Sequence, residues 1–213
     1  MLNGKVAIVT ASTRGIGYAC VETLAKAGAR VYMACRNLEV GNEKTAALCA
    51  QGLDVKTVYF EAYDKDSILN MIDTVVANEG RIDILVNNFG GTKPYDDKTI
   101  FDTDYDDFAR YVEVHMSTVF RASQAAALNI TCNVVCPGMT ATEAVKNNLT
   151  PEFQEFFLKH TPIRRMGEPQ EIADAVLYFA EAPYTTGQVL AVHGGFGIPT
   201  PVYGDMLSMK NKR

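Results

Sequence analysis

The 213-residue sequence predicts an α/β protein, a doubly wound parallel sheet with helices on both faces, built as a single domain over 1–213. Three observations predict it. Short apolar runs alternate with helical patterns in the order βαβαβαβ, and the connections between them are short. That order specifies a parallel sheet wound by right-handed crossovers. The first run, VAIVT at Val6–Thr10, is apolar without alternation, as expected of a strand covered on both faces. It passes directly into a glycine-bearing turn, TASTRGIG at Thr10–Gly17, that opens a helix.

The elements follow in order. Gly15–Ala27 carries a helical pattern that stops at Gly28, a C-cap signal. Arg30–Cys35 is the second strand, Leu38–Ala50 a helix stopped by Gly52, and Val55–Phe60 the third strand. Ser67–Asn78 is amphipathic, with Ile68, Met71, Ile72, Val75 and Val76 on one face, and Gly80 closes it. Ile82–Val86 is the fourth strand, and the polar loop GGTKPYDDKTIFDTD follows a short Asn-rich turn. Tyr105–Ala127 reads as one long helix, and Ile130–Val135 as a strand ending at Cys136-Pro137-Gly138. Pro151–Lys159 and Pro169–Ala180 are helices, Gln188–Val192 is the last strand, and the tail VYGDMLSMKNKR is irregular. No repeat, low-complexity tract or linker marks a second domain.

Composition bounds the function classes. With 47% hydrophobic residues the chain is long enough for one well-buried core. A net charge of −5 leaves no overall basic footprint for nucleic acid, although a local site for one phosphate is compatible with it. No apolar run reaches 18 residues, and the N-terminal run is too short for a signal peptide, so no membrane association and a cytoplasmic location are expected. The five cysteines (Cys20, Cys35, Cys49, Cys132, Cys136) lack metal-type CxxC spacing and read as buried free thiols. Three scattered histidines make no metal site, and His160 and His193 read as structural or surface residues. The cluster Asp102–Asp107 reads as a solvated first turn, where carboxylates favour the helix dipole.

The turn at Thr10–Gly17 has the chemistry of an anion site. A helix N-terminus presents free backbone N–H groups and the positive end of its dipole. Gly15 allows close approach of a pyrophosphate, and Gly17 allows helix and strand to pack closely. An NAD site wants a carboxylate at the end of the second strand to hold the ribose hydroxyls. Cys35 stands there instead, followed by Arg36, with Arg14 in the glycine turn. Two guanidiniums without an acid fit a 2′-phosphate, so the cofactor expectation is NADP(H).

These residues resemble the short-chain dehydrogenase/reductase family, in order and over nearly the whole chain. TASTRGIG is similar to the family's TGxxxGxG loop, with Ala11 where glycine is usual. Asn87-Asn88-Phe89-Gly90 resembles its NNAG motif, and Pro137–Thr142 its PG motif after the sixth strand. Thr161–Ala180 and GQVLAVHGGF resemble its late helix and last strand. The resemblance implies a Rossmann-type fold and a homo-oligomer, a tetramer or dimer. It implies cofactor contacts from Thr10, Ser12, Thr13, Arg14, Gly15, Ile16, Gly17, Arg36, Asn88, Gly90 and Thr142, the last holding the nicotinamide carboxamide. Within the family, KVAIVTASTRGIG, the NNFGG loop and the GGFGIPTPVYG tail look most like bacterial NADP-dependent 7α-hydroxysteroid dehydrogenases acting on bile acids. The implied activity is interconversion of a secondary alcohol and a ketone on a small-molecule, steroid-like substrate. Phe153–His160 and Met206–Met209 resemble the apolar edge of the substrate pocket, and equally suit plain packing.

The family's proton-transfer set, as the resemblance has it, is a serine, and a tyrosine and lysine spaced YxxxK on one helix face. None of the ten tyrosines here has lysine four residues on. A strand–helix unit is lacking near Ala125–Asn129, where the long helix runs almost directly into the next strand. Such a unit needs at least roughly 30 residues, and on the order of 50 by pattern. Three explanations stay open: residues of a longer protein are missing, a deletion has left a catalytically inactive nucleotide-binding or regulatory remnant, or the chain folds differently here. In VEVHMSTVF the family's supporting Asn falls on His115, a side chain able to donate a hydrogen bond and carry a proton, and equally an ordinary helix residue facing a polar cavity.

Overall fold

A computed structural model describes residues 1–90, 101–126 and 131–197. The seam residues 127–130 and the tail from 198 lie outside the described residues, as does most of the polar loop (91–100). The chain forms two compact units, Met1–Ile130 and Thr131–Arg213.

In the first unit, strands β1 (Val6–Thr10), β2 (Arg30–Cys35), β3 (Val55–Tyr59) and β4 (Ile84–Val86) make a four-stranded sheet in the order β3-β2-β1-β4. Every pairing is parallel, with Val6 opposite Arg30, Val31 opposite Val55 and Ala7 opposite Ile84. The predicted Rossmann-like arrangement is therefore present, because β1 and β2 are buried on both faces. Val6, Ile8, Tyr32 and Ala34 pack with Ile68, Met71, Ile72 and Val75 of α3 (Lys65–Glu79) and with Val114 and Ala122 of the later helix. The alternate residues Ala7, Val9, Val31 and Met33 are buried on the other face, where α1 (Gly15–Lys26) and α2 (Leu38–Cys49) pack. Each fully buried side chain of this kind contributes roughly 1.5–3 kcal/mol.

Local chemistry sets the ends of these elements. Asn37 caps α2 and Asp64 caps α3 by accepting from first-turn N–H groups, and Gly80 closes α3 at φ 73°. The fourth strand begins two residues later than its apolar run. Asp83 is drawn into accepting from the Val6 N–H and from Lys5 and Arg81. These three donors hold its carboxyl below the usual range against the cost of burial.

The predicted long helix is continuous but not uniform. It is α4 (Tyr105–Val112), a π-helical segment (Glu113–Ser117) and α5 (Thr118–Ala126). Asp104 caps α4, with Asp106 and Asp107 in its first turn, so the acidic cluster has the helix-start role read from the sequence. No group of three or more His, Cys, Asp or Glu suited to a metal occurs among the described residues.

In the second unit, β5 (Val134–Pro137) and β6 (Val189–Val192) pair in parallel as a two-stranded sheet. The helices are α6 (Glu143–Asn148), α7 (Pro151–Lys159) and α8 (Pro169–Glu181). Helix α6 was not expected. Phe157 of α7 stacks on Phe196 at 5.5 Å and meets Phe153 at 5.2 Å, so this aromatic stretch packs within its own unit. His193 accepts from the Gly195 N–H through Nδ1, and the exposed His160 meets Phe156 edge-on. All five cysteines are free, but Cys49 and Cys132 are exposed, which corrects the expectation of five buried thiols. Burial pushes the Cys20 thiol up to about 12. No described helix is long and apolar enough to cross a membrane.

Candidate functional site

The carboxyl ends of β1, β2, β3 and β4 bring together Thr10–Gly17, Cys35–Arg36, Phe60–Glu61 and Asn87–Gly90. In an open parallel sheet this is the edge where ligands bind.

The glycine turn is held from beneath. Thr10 and Ser12 are completely buried. The Ser12 hydroxyl donates to the Val9 carbonyl at 2.7 Å, and Thr10 Oγ1 accepts from the Asn88 N–H at 2.9 Å. Asn88 Nδ2 donates to the Thr10 and Ala11 carbonyls at 3.1 and 3.2 Å. Thr10, Ser12 and Asn88 thus spend these polar atoms shaping the turn. Gly17 must be glycine for the same reason: a Cβ there would lie 2.8 Å from Ser12 Cα and 2.9 Å from the Ala11 carbonyl, and against the Asn88 amide. Ala11 has φ 50° and Gly15 φ 56°. The residue that departs from the family's glycine pattern therefore sits in the left-handed region that glycine favours.

Helix α1 starts at Gly15 with no side-chain cap from Arg14 and no acid in its first turn. Helices α2, α3, α4, α6, α7 and α8 each have an acidic residue there. The start of α1 thus has neither a side-chain cap nor a first-turn carboxylate of its own to complement its N–H groups and dipole. Thr13, Arg14, Gly15 and Ile16 are accessible around this end.

At the end of β2, Cys35 donates to the Asn37 carbonyl, and burial raises its thiol pKa, so this position carries no charge. Arg36 is 78% exposed and lies 3.7 Å from Glu61, an acid at the end of β3. Sequence reasoning missed Glu61. The parallel register that sets Cys35 opposite Tyr59 is the signal that brings it near Arg36.

The π segment presents His115. A Cβ on Gly90 would lie 3.1 Å from His115 Cε1, a tight contact that the ring would have to yield to by a few tenths of an ångström, so glycine lets the ring sit close to the NNFG turn. The ring stacks on Tyr111 at 6.1 Å, and the Arg110 guanidinium lies over that same Tyr111 ring at 5.3 Å. π-Bulges recur at functional sites. Thr142 belongs to the second unit, where it caps α6 by accepting from the Val145 N–H at 3.3 Å. No Tyr–Lys pair of YxxxK spacing exists anywhere in the chain.

Comparison with known proteins gives the lineage. Residues 5–129 match the short chain dehydrogenase family model, and residues 122–197 match the model described as enoyl-(acyl carrier protein) reductase. The two matches meet across the seam. The 7α-hydroxysteroid dehydrogenase of Clostridium sardiniense is 39% identical, covering 96% of this chain and 97% of that enzyme. The 7α-hydroxysteroid dehydrogenase of Paraclostridium sordellii is 35% identical, covering 98% of both. A solved 7α-hydroxysteroid dehydrogenase complexed with NADH and 7-oxo glycochenodeoxycholic acid is 28% identical, with a TM-score of 0.82, covering 92% of this chain and 95% of that one. The first alignment spans 255 positions but uses 96% of 213 residues, about 204, which leaves about 51 positions without a counterpart here. That number agrees with the missing strand–helix unit. The chain belongs to the short-chain dehydrogenase/reductase family, with 7α-hydroxysteroid dehydrogenases among its relatives.

Proposed function

We propose that this protein is an NADP(H)-dependent oxidoreductase that interconverts a secondary alcohol and a ketone, with a bile-acid type hydroxysteroid as substrate. The observation that carries this reading is the 39% identity to a 7α-hydroxysteroid dehydrogenase along nearly its whole length. The first-turn N–H groups of α1, with Thr13, Gly15, Ile16 and Gly17 around them, cradle the pyrophosphate. Arg36 and Arg14 take the 2′-phosphate, favoured by the neutral Cys35 where a carboxylate would select NAD(H). Asn88 fixes the turn, Gly90 leaves room beside it, and Thr142 holds the carboxamide. The bound nicotinamide supplies the hydride chemistry. His115, set against Gly90 by the π segment, stands at the family's Asn position, where it takes over the relay role of that Asn by donating a hydrogen bond and carrying a proton. The protein works as a cytoplasmic homo-oligomer, a dimer or tetramer.

A second reading, a catalytically inactive nucleotide-binding or regulatory protein of the same fold, is favoured by one observation: no tyrosine has lysine four residues on. One assay separates them. The chain, verified by mass at 23.3 kDa, is titrated with NADPH and then assayed for oxidation of a 7α-hydroxy bile acid with NADP. Turnover supports the first reading. NADPH binding without turnover selects the second, and absence of NADPH binding removes both.

A further inference from the structure

Among the described side chains of the first unit, every lysine and arginine but two has a carboxylate partner. The exceptions are Arg14, in the glycine turn, and Lys44, on α2; both are exposed. Acids outnumber bases in this chain, so the lack of a partner is local.

The placement of Lys44 is set by three contacts. Its ammonium lies over the Tyr18 ring, 5.6 Å from the centroid, an arrangement that the ring quadrupole favours. Tyr18 is half-buried on α1, one turn beyond Arg14, and its N–H donates to the Arg14 carbonyl at 3.2 Å. The rotation of α2 is fixed by Gly41, where a Cβ would lie 2.5 Å from Cys35 Sγ, and by Thr45, whose hydroxyl bonds to that of Thr57 at 2.8 Å. Lys44 therefore stands on the flank of α2 that meets Tyr18. Glu43 is turned about 100° from it around the helix, and Glu39 further. About 10 Å of helix separates Lys44 from Asn37, the cap that follows Arg36. Helical side chains lean towards the N-terminus, so Lys44 leans back over part of that distance.

We infer that Lys44 is a third cation of the 2′-phosphate site, a specificity-determining residue held in position by the Tyr18 ring. The inference rests on the reading of Arg36 and Arg14 as the residues that take this phosphate. Lys44 acts through its field at the rim of the site, while the two guanidiniums make the contacts. A phosphate monoester carries about −1.5 to −2 charge at neutral pH, and a cation within a Debye length of about 8 Å favours it. NAD(H) offers only neutral ribose hydroxyls at the same place, so the field of Lys44 discriminates between the two cofactors. Tyr18 is a positioning residue.

The test measures dissociation constants of NADPH, NADH, 2′,5′-ADP and 5′-AMP on the full chain by titration. Lys44→Gln should weaken NADPH and 2′,5′-ADP by roughly three- to tenfold, leave NADH and 5′-AMP within about twofold, and differ less from the parent as salt is raised. Lys44→Arg should keep the preference. Tyr18→Leu should reproduce the selective loss and Tyr18→Phe should not, and Tyr18→Leu with Lys44→Gln should lose no more than Lys44→Gln alone. An unchanged preference in Lys44→Gln, or an equal loss for ligands with and without the 2′-phosphate, overturns the inference. A Tyr18→Leu protein that keeps the preference overturns the positioning role. Arg36→Ala is measured alongside. If it abolishes the preference while Lys44→Gln does not, this inference fails and the 2′-phosphate reading stands. A parent chain with no preference for NADPH removes both.

Discussion

Replacing Ala11 by glycine should stabilise the protein, against the usual direction for Ala→Gly. Ala11 has φ 50°, and its carbonyl is pinned by the Asn88 amide at 3.2 Å, so the turn cannot relax to a negative φ without losing that bond. An L-residue held in the left-handed region costs roughly 1–2 kcal/mol. The added freedom of glycine in the unfolded chain offsets roughly 0.4–1 kcal/mol of that. The net expectation is about 0.5–1 kcal/mol of stabilisation, or roughly 1–4 °C in Tm for a chain of this size. Thermal unfolding followed by circular dichroism measures it, and amide exchange at Val6–Thr10 assigns it to the first unit. Ala11→Val should move the other way by at least as much, because a β-branched side chain tolerates that φ poorly. An A11G protein that melts at or below the parent temperature would refute the reasoning, since the turn would then hold no strain.

Four other predictions follow from the same geometry. Gly17→Ala drives a methyl group into the backbone of Ser12 and Ala11; it should cost about 1–3 kcal/mol and abolish NADPH binding in a fluorescence titration. Arg36→Ala should weaken NADPH binding much more than NADH binding, and Glu61→Gln, which removes the acid 3.7 Å from Arg36, should strengthen NADPH binding selectively; equal effects on both cofactors would sink the 2′-phosphate assignment. Glu79 accepts from Lys56, Tyr32 and Arg30, which hold its carboxyl at about 2 rather than 4.5. Its folded pKa is depressed, so its contribution is present above pH 4.5 and is lost as pH falls towards 2; in urea melts, Glu79→Gln should flatten that part of the pH profile. Gly90→Val should displace the His115 ring, which lies 3.1 Å from the first added carbon, and shift the His115 imidazole signals in NMR spectra while leaving Tm nearly unchanged.

The elements read from sequence were best where burial leaves a plain trace. Strands β1 to β3 match within a residue, because two-sided burial writes continuous apolar runs and because glycine or asparagine marks the adjoining helix ends. The reading slipped where a side chain competes with the ladder. Asp83 shortened β4, and β5 starts at Val134 because Cys132 and Asn133 bond to the Thr185–Gln188 turn. Helix α6 escaped notice because EAVKNN has no apolar stripe; the Thr142 cap before an acid was its only mark. For the site, the turn at Thr10–Gly17 was legible because strand, turn and helix are contiguous. The Asn88 clamp on Thr10 and the Glu61 partner of Arg36 were not, because both depend on which strand ends lie side by side.

The π segment at Glu113–Ser117 sets a phase boundary inside what the sequence shows as one helix. Bonds that skip five residues instead of four put one additional residue into the turn, so the faces before and after it are offset by about 100°, one residue's rotation in an α-helix. A periodicity fitted from Tyr105 onward therefore points to the wrong face once it passes Val112. Chain length in this turn is also adjustable in a way that is rare inside helices. Removing one residue between Glu113 and Ser117 would let the segment close into ordinary α-helix with its hydrogen bonds intact, yet would rotate His115 away from Gly90. Stability and the placement of that imidazole are thus separable by a single-residue deletion.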